Sequence, residues 1–214
     1  MVFNYEISAD CFEIHDAAGN RHTVLSVICL GTLYHQAWWV APGGVPKSSI
    51  CAEALLNGWF QPFGAPRIFT CDRGVHHRGR VQDLLRIHGV QLRYGALEAP
   101  YQIGRTERQG GVLKEVLKGA IEERQIIGVK DMKMLIAEST TVKNCRVNHQ
   151  GFTPAQWVLG RLPTDSTSIT AEEAEGYALG VHAELMEPEE QFARQLEIRQ
   201  AAKMRSEERR VGKE

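Results

Sequence analysis

No Cys-x-x-Cys pair occurs among the five cysteines (Cys11, Cys29, Cys51, Cys71, Cys145). That spacing offers neither a Cys-rich zinc site nor a disulfide framework, and the residues read as reduced, mostly buried thiols. Long apolar runs are also missing: the longest mostly apolar stretch, Thr23 to Leu33, falls short of the roughly 20 residues a membrane-spanning helix needs. Met1 to Cys11 lacks the basic and apolar regions of a signal peptide. A soluble, intracellular protein with no membrane partner is expected. An excess of one charge is lacking too, since 25 Lys and Arg oppose 26 Asp and Glu for a net of -1. This excludes a uniformly basic nucleic-acid coat but leaves room for a local basic face. No internal repeat or low-complexity stretch is present.

What is there is ordinary globular material: 214 residues, 43% apolar and 24% charged, enough for one good-sized domain plus an appendage. The charge is unevenly placed. Residues 171–204 hold eight acidic and three basic residues, whereas residues 1–170 carry a net of +3; the front is the candidate nucleic-acid side. The last ten residues, Arg205 to Glu214, continue no earlier pattern and read as the in-frame translation of a sequencing-library adapter. The expected organisation is a core over residues 1–163, an acidic, helical extension over 164–204, and that adapter-derived scar over 205–214.

Local patterns predict a mixed α/β fold. Asn4 to Phe12 alternates as a strand, Asp16-Ala-Ala-Gly-Asn20 is turn chemistry, and Thr23 to Leu30 follows as a buried strand. Leu33 to Ala41 reads as a third strand, Pro66 to Cys71 as a fourth and Val90 to Tyr94 as a fifth. Helices are expected at Ser48–Phe60, Arg80–His88, Thr106–Arg124, Lys130–Cys145 and Pro154–Leu159. Strands followed by alternating helix and strand, and then by helices, predict a five-stranded mixed sheet covered by helices on both faces. Trp38, Trp39, Trp59 and Trp157 are expected in core and interface packing rather than in base stacking.

Three carboxylates fall where this layout would bring them together: Asp10 in the first strand, Asp72 at the end of the fourth, and Glu107 near the start of the long helix. Phosphodiester chemistry needs an attacking oxygen made nucleophilic and a leaving oxygen whose charge is neutralised, which two divalent ions held by acidic ligands supply. Oxygen-only ligation favours Mg²⁺ or Mn²⁺. Any one of these carboxylates alone reads more simply as a turn or helix-capping residue. Lys114 and Lys118, seven and eleven residues after Glu107, share roughly its helix face and are candidates for phosphate contact or, more blandly, for a solvated face.

In combination these segments resemble the catalytic core of retroviral and retrotransposon integrases, RNase H-like DDE strand-transfer enzymes. The resemblance runs through Ser8-Ala9-Asp10-Cys11-Phe12, Thr70-Cys71-Asp72-Arg73-Gly74 and Pro100-Tyr101-Gln102-Ile103-Gly104-Arg105-Thr106-Glu107-Arg108. It ends with Thr153-Pro154 followed by Gly160-Arg161-Leu162-Pro163. It implies an RNase H-like fold and integrase-type strand transfer: 3′-end processing of element DNA and joining to a target duplex. The implied metal ligands and catalytic residues are Asp10, Asp72 and Glu107, holding two Mg²⁺ or Mn²⁺ ions. Gln102, Arg105, Arg108, Lys114 and Lys118 become the implied DNA-binding set. Gly74 would let the chain turn after the metal-bearing strand, and Gly104 would give a mobile loop before the helix.

The same resemblance implies DNA partners, a homo-oligomer, a nuclear location and an origin as a piece of a retrotransposon Pol polyprotein. The sequence also departs from the pattern. His76 and His77 replace the usual residues after Asp-x-Gly and read as a loop pair or a spare metal ligand. Ile103 replaces a polar residue, and Gly110-Gly111 would weaken the catalytic helix by about 1 kcal/mol per glycine. Two alternatives remain open: a catalytically degenerate DNA-binding or dimerisation module, and an RNase H-like nuclease.

Overall fold

The computed structural model describes residues 2–72, 74, 78–94, 100–146 and 151–162 together with Ile198 and Ala201, and for residues 100–103 and 105 the backbone alone. Five strands, β1 (Glu6–His15), β2 (Arg21–Cys29), β3 (His35–Ala41), β4 (Ile68–Cys71) and β5 (Gln91–Tyr94), form one sheet in the order β3-β2-β1-β4-β5. The β1–β2 and β2–β3 pairs are antiparallel, while β1–β4 and β4–β5 are parallel. The fold is the expected mixed five-stranded α/β sheet with helices on both faces. The β1–β2 turn forms as its residues dictate: Asp16 Oδ1 accepts from the amides of Ala18 and Asn20 at 3.0 and 2.9 Å, and Gly19 takes a φ of 82°.

Alternation along β1 separates two cores. Ile7 and Ala9 join Leu25, Val27 and Phe69 against helices α1 (Ser48–Leu55) and α3 (Arg80–Ile87), which contribute Cys51, Leu55, Val81 and Leu85. Ile14 joins Val24 and Ala37 on the opposite face, under α4 (Pro100–Arg124) and α5 (Val129–Arg146). Leu113 and Leu117 of α4 and Met132 and Leu135 of α5 are fully buried there. A short helix α6 (Pro154–Leu159) follows, with a reciprocal capping box between Thr153 and Gln156 and a left-handed Gly160 at its end.

Two helices depart from expectation. The segment after α1 continues through a π-helical stretch (Leu56–Phe60) into α2 (Gln61–Phe63). Trp59 and Phe60 in that turn are both buried in the core. Gly58 permits the packing, because a Cβ there would collide with the Trp38 indole. The long helix begins at Pro100 rather than Thr106, so Gly104 lies inside α4 and not in a loop before it. Proline in the first turn suits a helix start, since its missing N–H has no intrahelical partner there.

Ile198 and Ala201 are helical, fully exclude solvent and belong to the α4–α5 cluster. The acidic run before them and Arg205–Glu214 lie outside the described residues. Among the described residues, no helix is long and apolar enough to cross a membrane. All five cysteines are free; Cys29, Cys51 and Cys71 are buried, and Cys11 and Cys145 are half-buried.

Candidate active site

Ala9 of β1 is the register partner of Cys71 of β4. The residues that follow, Asp10 and Asp72, therefore stand next to each other on parallel strands, whose usual spacing is about 4.8 Å. Alternation turns Asp10, like Phe12 and Ile14, to the α4 side. Both carboxylates are oriented by backbone amides: Cys11 N–H donates to Asp10 Oδ1 at 2.8 Å, and Gly74 N–H donates to Asp72 Oδ1 at 3.0 Å. The second contact is an Asx turn, and it is how the chain turns after β4 at Gly74. The two carboxylates also share a neighbour. A hydrogen bond to Cys51, burial, and then the charges of Asp10 and Asp72 all push the Cys11 thiol up. Burial and the charge of Asp72 push the Cys71 thiol up to about 12.

Two contacts show how the long helix lies along this strand. The Lys114 ammonium lies over the Phe12 ring, 5.6 Å from its centroid. Beyond the far ends of β1 and α4, Ala17 N–H bonds Ile126 O at 2.9 Å, so the two elements run in the same direction. Glu107, seven residues before Lys114, is about two turns back on the same helix face, roughly 10 Å nearer the helix start. Asp10 is two residues back from Phe12 along the strand, about 7 Å. Both recede from the Phe12–Lys114 contact toward the same end of the sheet.

The structure thus brings Asp10 and Asp72 together and sets Glu107 on the α4 face that carries Lys114, toward the same end of the sheet. The Glu107 side chain is exposed, and among the described residues no three His, Cys, Asp or Glu side chains are close enough together to hold a metal ion. Two strand-borne carboxylates and a third on a facing helix are a hard, oxygen-only donor set, which fits Mg²⁺ or Mn²⁺. Arg108 and Lys118 are exposed and Lys114 half-buried. The side chains of Gln102 and Arg105, and the pair His76 and His77, lie outside the described residues.

Sequence patterns missed two buried polar networks that support this framework. Asp16 accepts from Asn20 Nδ2 (3.0 Å), His22 Nε2 (3.2 Å) and, across 112 residues, Gly128 N–H (2.9 Å). Burial raises its pKa, but these bonds outweigh it and hold the carboxyl well below the usual range. Trp39 Nε1–H donates to His22 Nδ1 at 3.0 Å, which leaves His22 Nε2 to carry the proton toward Asp16. The second network lies behind Asp10, whose register partner on β2 is Ser26. Ser26 Oγ is 2.7 Å from His35 Nε2, and the Lys143 ammonium donates to His35 Nδ1 at 2.9 Å. Asn144 grips the His35 backbone at both its N–H and its C=O. Partners more than 100 residues apart leave no local signal.

No family model matches the chain, and no curated protein matches its sequence. Solved structures do match. A chain of the simian T-cell lymphotropic virus intasome, in complex with PP2A regulatory subunit B56 gamma, is 15% identical over 77% of this chain with a TM-score of 0.61. The present chain spans 59% of that chain's length. The HTLV-2 integrase catalytic core domain in complex with magnesium, in its dimeric form, is 13% identical, with a TM-score of 0.58 over 73% of this chain and 95% of that one. The catalytic core domain of BIV integrase is 18% identical, with a TM-score of 0.56 and the same coverages of 73% and 95%. The sheet order, the helices on both faces and these superpositions agree: the chain has the fold of a retroviral integrase catalytic core.

Proposed function

We propose that this chain performs integrase-type DNA strand transfer, in which water first frees a 3′ end of element DNA and that hydroxyl then attacks a target phosphodiester. The observation that carries the reading is the pairing of Asp10 and Asp72 on adjacent parallel strands, in a fold whose solved examples include a core in complex with magnesium. Asp10, Asp72 and Glu107 would hold Mg²⁺ or Mn²⁺. Two such ions, when bound, supply Lewis acidity toward the attacking oxygen and charge neutralisation at the leaving oxygen.

The protein's own groups do the rest. The amides of Cys11 and Gly74 keep Asp10 and Asp72 turned into the site. Lys114 and Lys118 share one side of α4 and, with the exposed Arg108 farther round the helix, would hold DNA phosphates, while Gln102 and Arg105 at its start would meet the DNA end. A homo-oligomer is part of the proposal: Trp38 and Trp39 on the edge strand β3 line a groove with Ile50, Glu53 and Lys133. Origin in a retrotransposon Pol polyprotein and action in the nucleus complete it.

One observation favours a second reading, a degenerate DNA-binding or dimerisation module. Glu107 is exposed, and no cluster of three ligands is closed among the described residues. Labelled duplex DNA incubated with Mn²⁺ separates the readings. Cleavage followed by joining to a second duplex is expected; cleavage without joining indicates an RNase H-like nuclease, and metal-independent binding alone indicates the module.

A further inference from the structure

One arginine stands on the carboxylate-bearing face of the sheet. Side chains alternate along β1, so Glu6, Ser8 and Asp10 share a face. Ser8 is the register partner of Thr70 on β4, and Thr70 that of Arg93 on β5. Side-chain contacts agree with that placement: Thr70 Oγ1 donates to Glu6 Oε1 at 2.8 Å, and Arg93 Nη1 lies 3.8 Å from Glu6 Oε2. Within the five strands, no other lysine or arginine lies on this face.

Glu6 is held firmly and Arg93 loosely. The Glu6 side chain is 12% exposed and takes the Thr70 hydroxyl at hydrogen-bonding distance, whereas the Arg93 side chain is 35% exposed and its 3.8 Å separation from Glu6 is too long for a hydrogen bond. The carboxylate therefore orients the guanidinium while leaving its N–H donors to a ligand. A half-exposed pair of this kind adds little stability by itself. Its position is more informative: Arg93 is one strand spacing, about 4.8 Å, from Thr70, which precedes Asp72 by two residues, about 7 Å. The planar fork of a guanidinium matches two oxygens of a phosphodiester.

We propose that Arg93 is a phosphate anchor of the carboxylate site, binding a backbone phosphate of the DNA strand next to the phosphodiester held at Asp10 and Asp72, with Glu6 and Thr70 orienting it. This rests on the function proposed above and adds a binding residue outside α4. A phosphate contact carries no sequence information, so Arg93 sets affinity and register rather than target preference.

Duplex binding by the full chain with Mn²⁺ present, titrated from low to moderate salt, tests the proposal. Arg93→Gln should weaken binding about tenfold on every duplex sequence and lower the salt slope by about one counterion. Arg93→Lys keeps the charge without the fork, so it should restore the slope and part of the affinity. Glu6→Gln should keep the parent's slope, because the cation remains. A pair with a structural role alone gives a different result: Arg93→Gln and Glu6→Gln lower the melting temperature alike and neither changes the slope. That result, or a parent that binds no duplex, overturns the proposal. Strand cleavage of the same duplex is scored separately. Arg93-dependent binding without cleavage counts against strand transfer and leaves the anchor standing, whereas cleavage and joining with an unchanged slope in Arg93→Gln does the reverse.

Discussion

Lys114 stands over the ring of Phe12 at 5.6 Å, a contact that joins helix α4 to strand β1 beside the candidate site. The contact places Lys114 on the Asp10 side of the sheet, two residues along β1 from that carboxylate. Replacing Lys114 and Lys118 by Ala should weaken duplex binding and flatten its salt dependence by about one counterion for each phosphate no longer neutralised. Lys114→Ala should also cost roughly 0.5–1 kcal/mol of stability by removing the cation–π interaction, and Lys118→Ala almost nothing. Binding titrations from low to moderate salt, with denaturant melts alongside, check both parts. An unchanged slope removes these lysines from the DNA face.

Asp16 links the β1–β2 turn to the α4–α5 connection. Truncation to Ala would leave the Gly128 amide and His22 without their acceptor, a loss of about 3 kcal/mol. Because the folded carboxyl titrates below its unfolded value, its contribution is complete above about pH 4 and disappears as the pH falls through the carboxylate range. Urea midpoints measured from neutral pH to about pH 2.5 should fall steeply in the parent, and Asp16→Asn should remove part of that slope.

His35 acts in the same direction at higher pH. Burial, with Lys143 beside it, holds the imidazole well below its usual value, so between its folded value and about 6.5 the unfolded chain binds a proton that the folded chain refuses. Stability should decline as the pH is lowered from about 6.5. His35→Gln should lower stability at neutral pH and flatten this decline; an identical slope in the variant would assign the decline to other histidines.

Glycines in helices give predictions of both signs. At Gly110 and Gly111 a Cβ would meet nothing within 4 Å, so Gly110→Ala and Gly111→Ala should each stabilise the chain by about 1 kcal/mol. Gly58→Ala should destabilise it, because the added methyl collides with the Trp38 ring. Thermal melts of the three variants decide these signs.

The sheet was readable in the sequence because hydrophobic alternation and turn residues are local: all five strands and the Asp16–Asn20 turn lie where the pattern placed them. Strand ends shifted by a few residues, as at β1, which continues past Phe12 to His15 because β2 pairs with it throughout. The π-helical turn at Leu56–Phe60 was not readable, since apolar spacing alone does not distinguish it from a continuous α-helix. The early start of α4 was hidden by Gly104, whose low helix propensity argued for a loop. Of the site, Asp10 and Asp72 were legible as strand-borne acids within motifs. The Phe12–Lys114 contact required the packing of elements far apart in sequence.

The central claim is that Asp10, Asp72 and Glu107 act as one divalent-metal site, and the most direct test is the melting temperature with and without Mg²⁺ or Mn²⁺. The parent should be stabilised by either ion, as any ligand that binds only the folded state requires. Asp10→Asn and Asp72→Asn should abolish that rise and Glu107→Gln should reduce it, while metal-free Asp10→Asn stays as stable as the parent or slightly more so, because a carboxylate repulsion has been removed. If all three variants keep the parent's metal-dependent stabilisation, the carboxylates do not form one site and the account is contradicted.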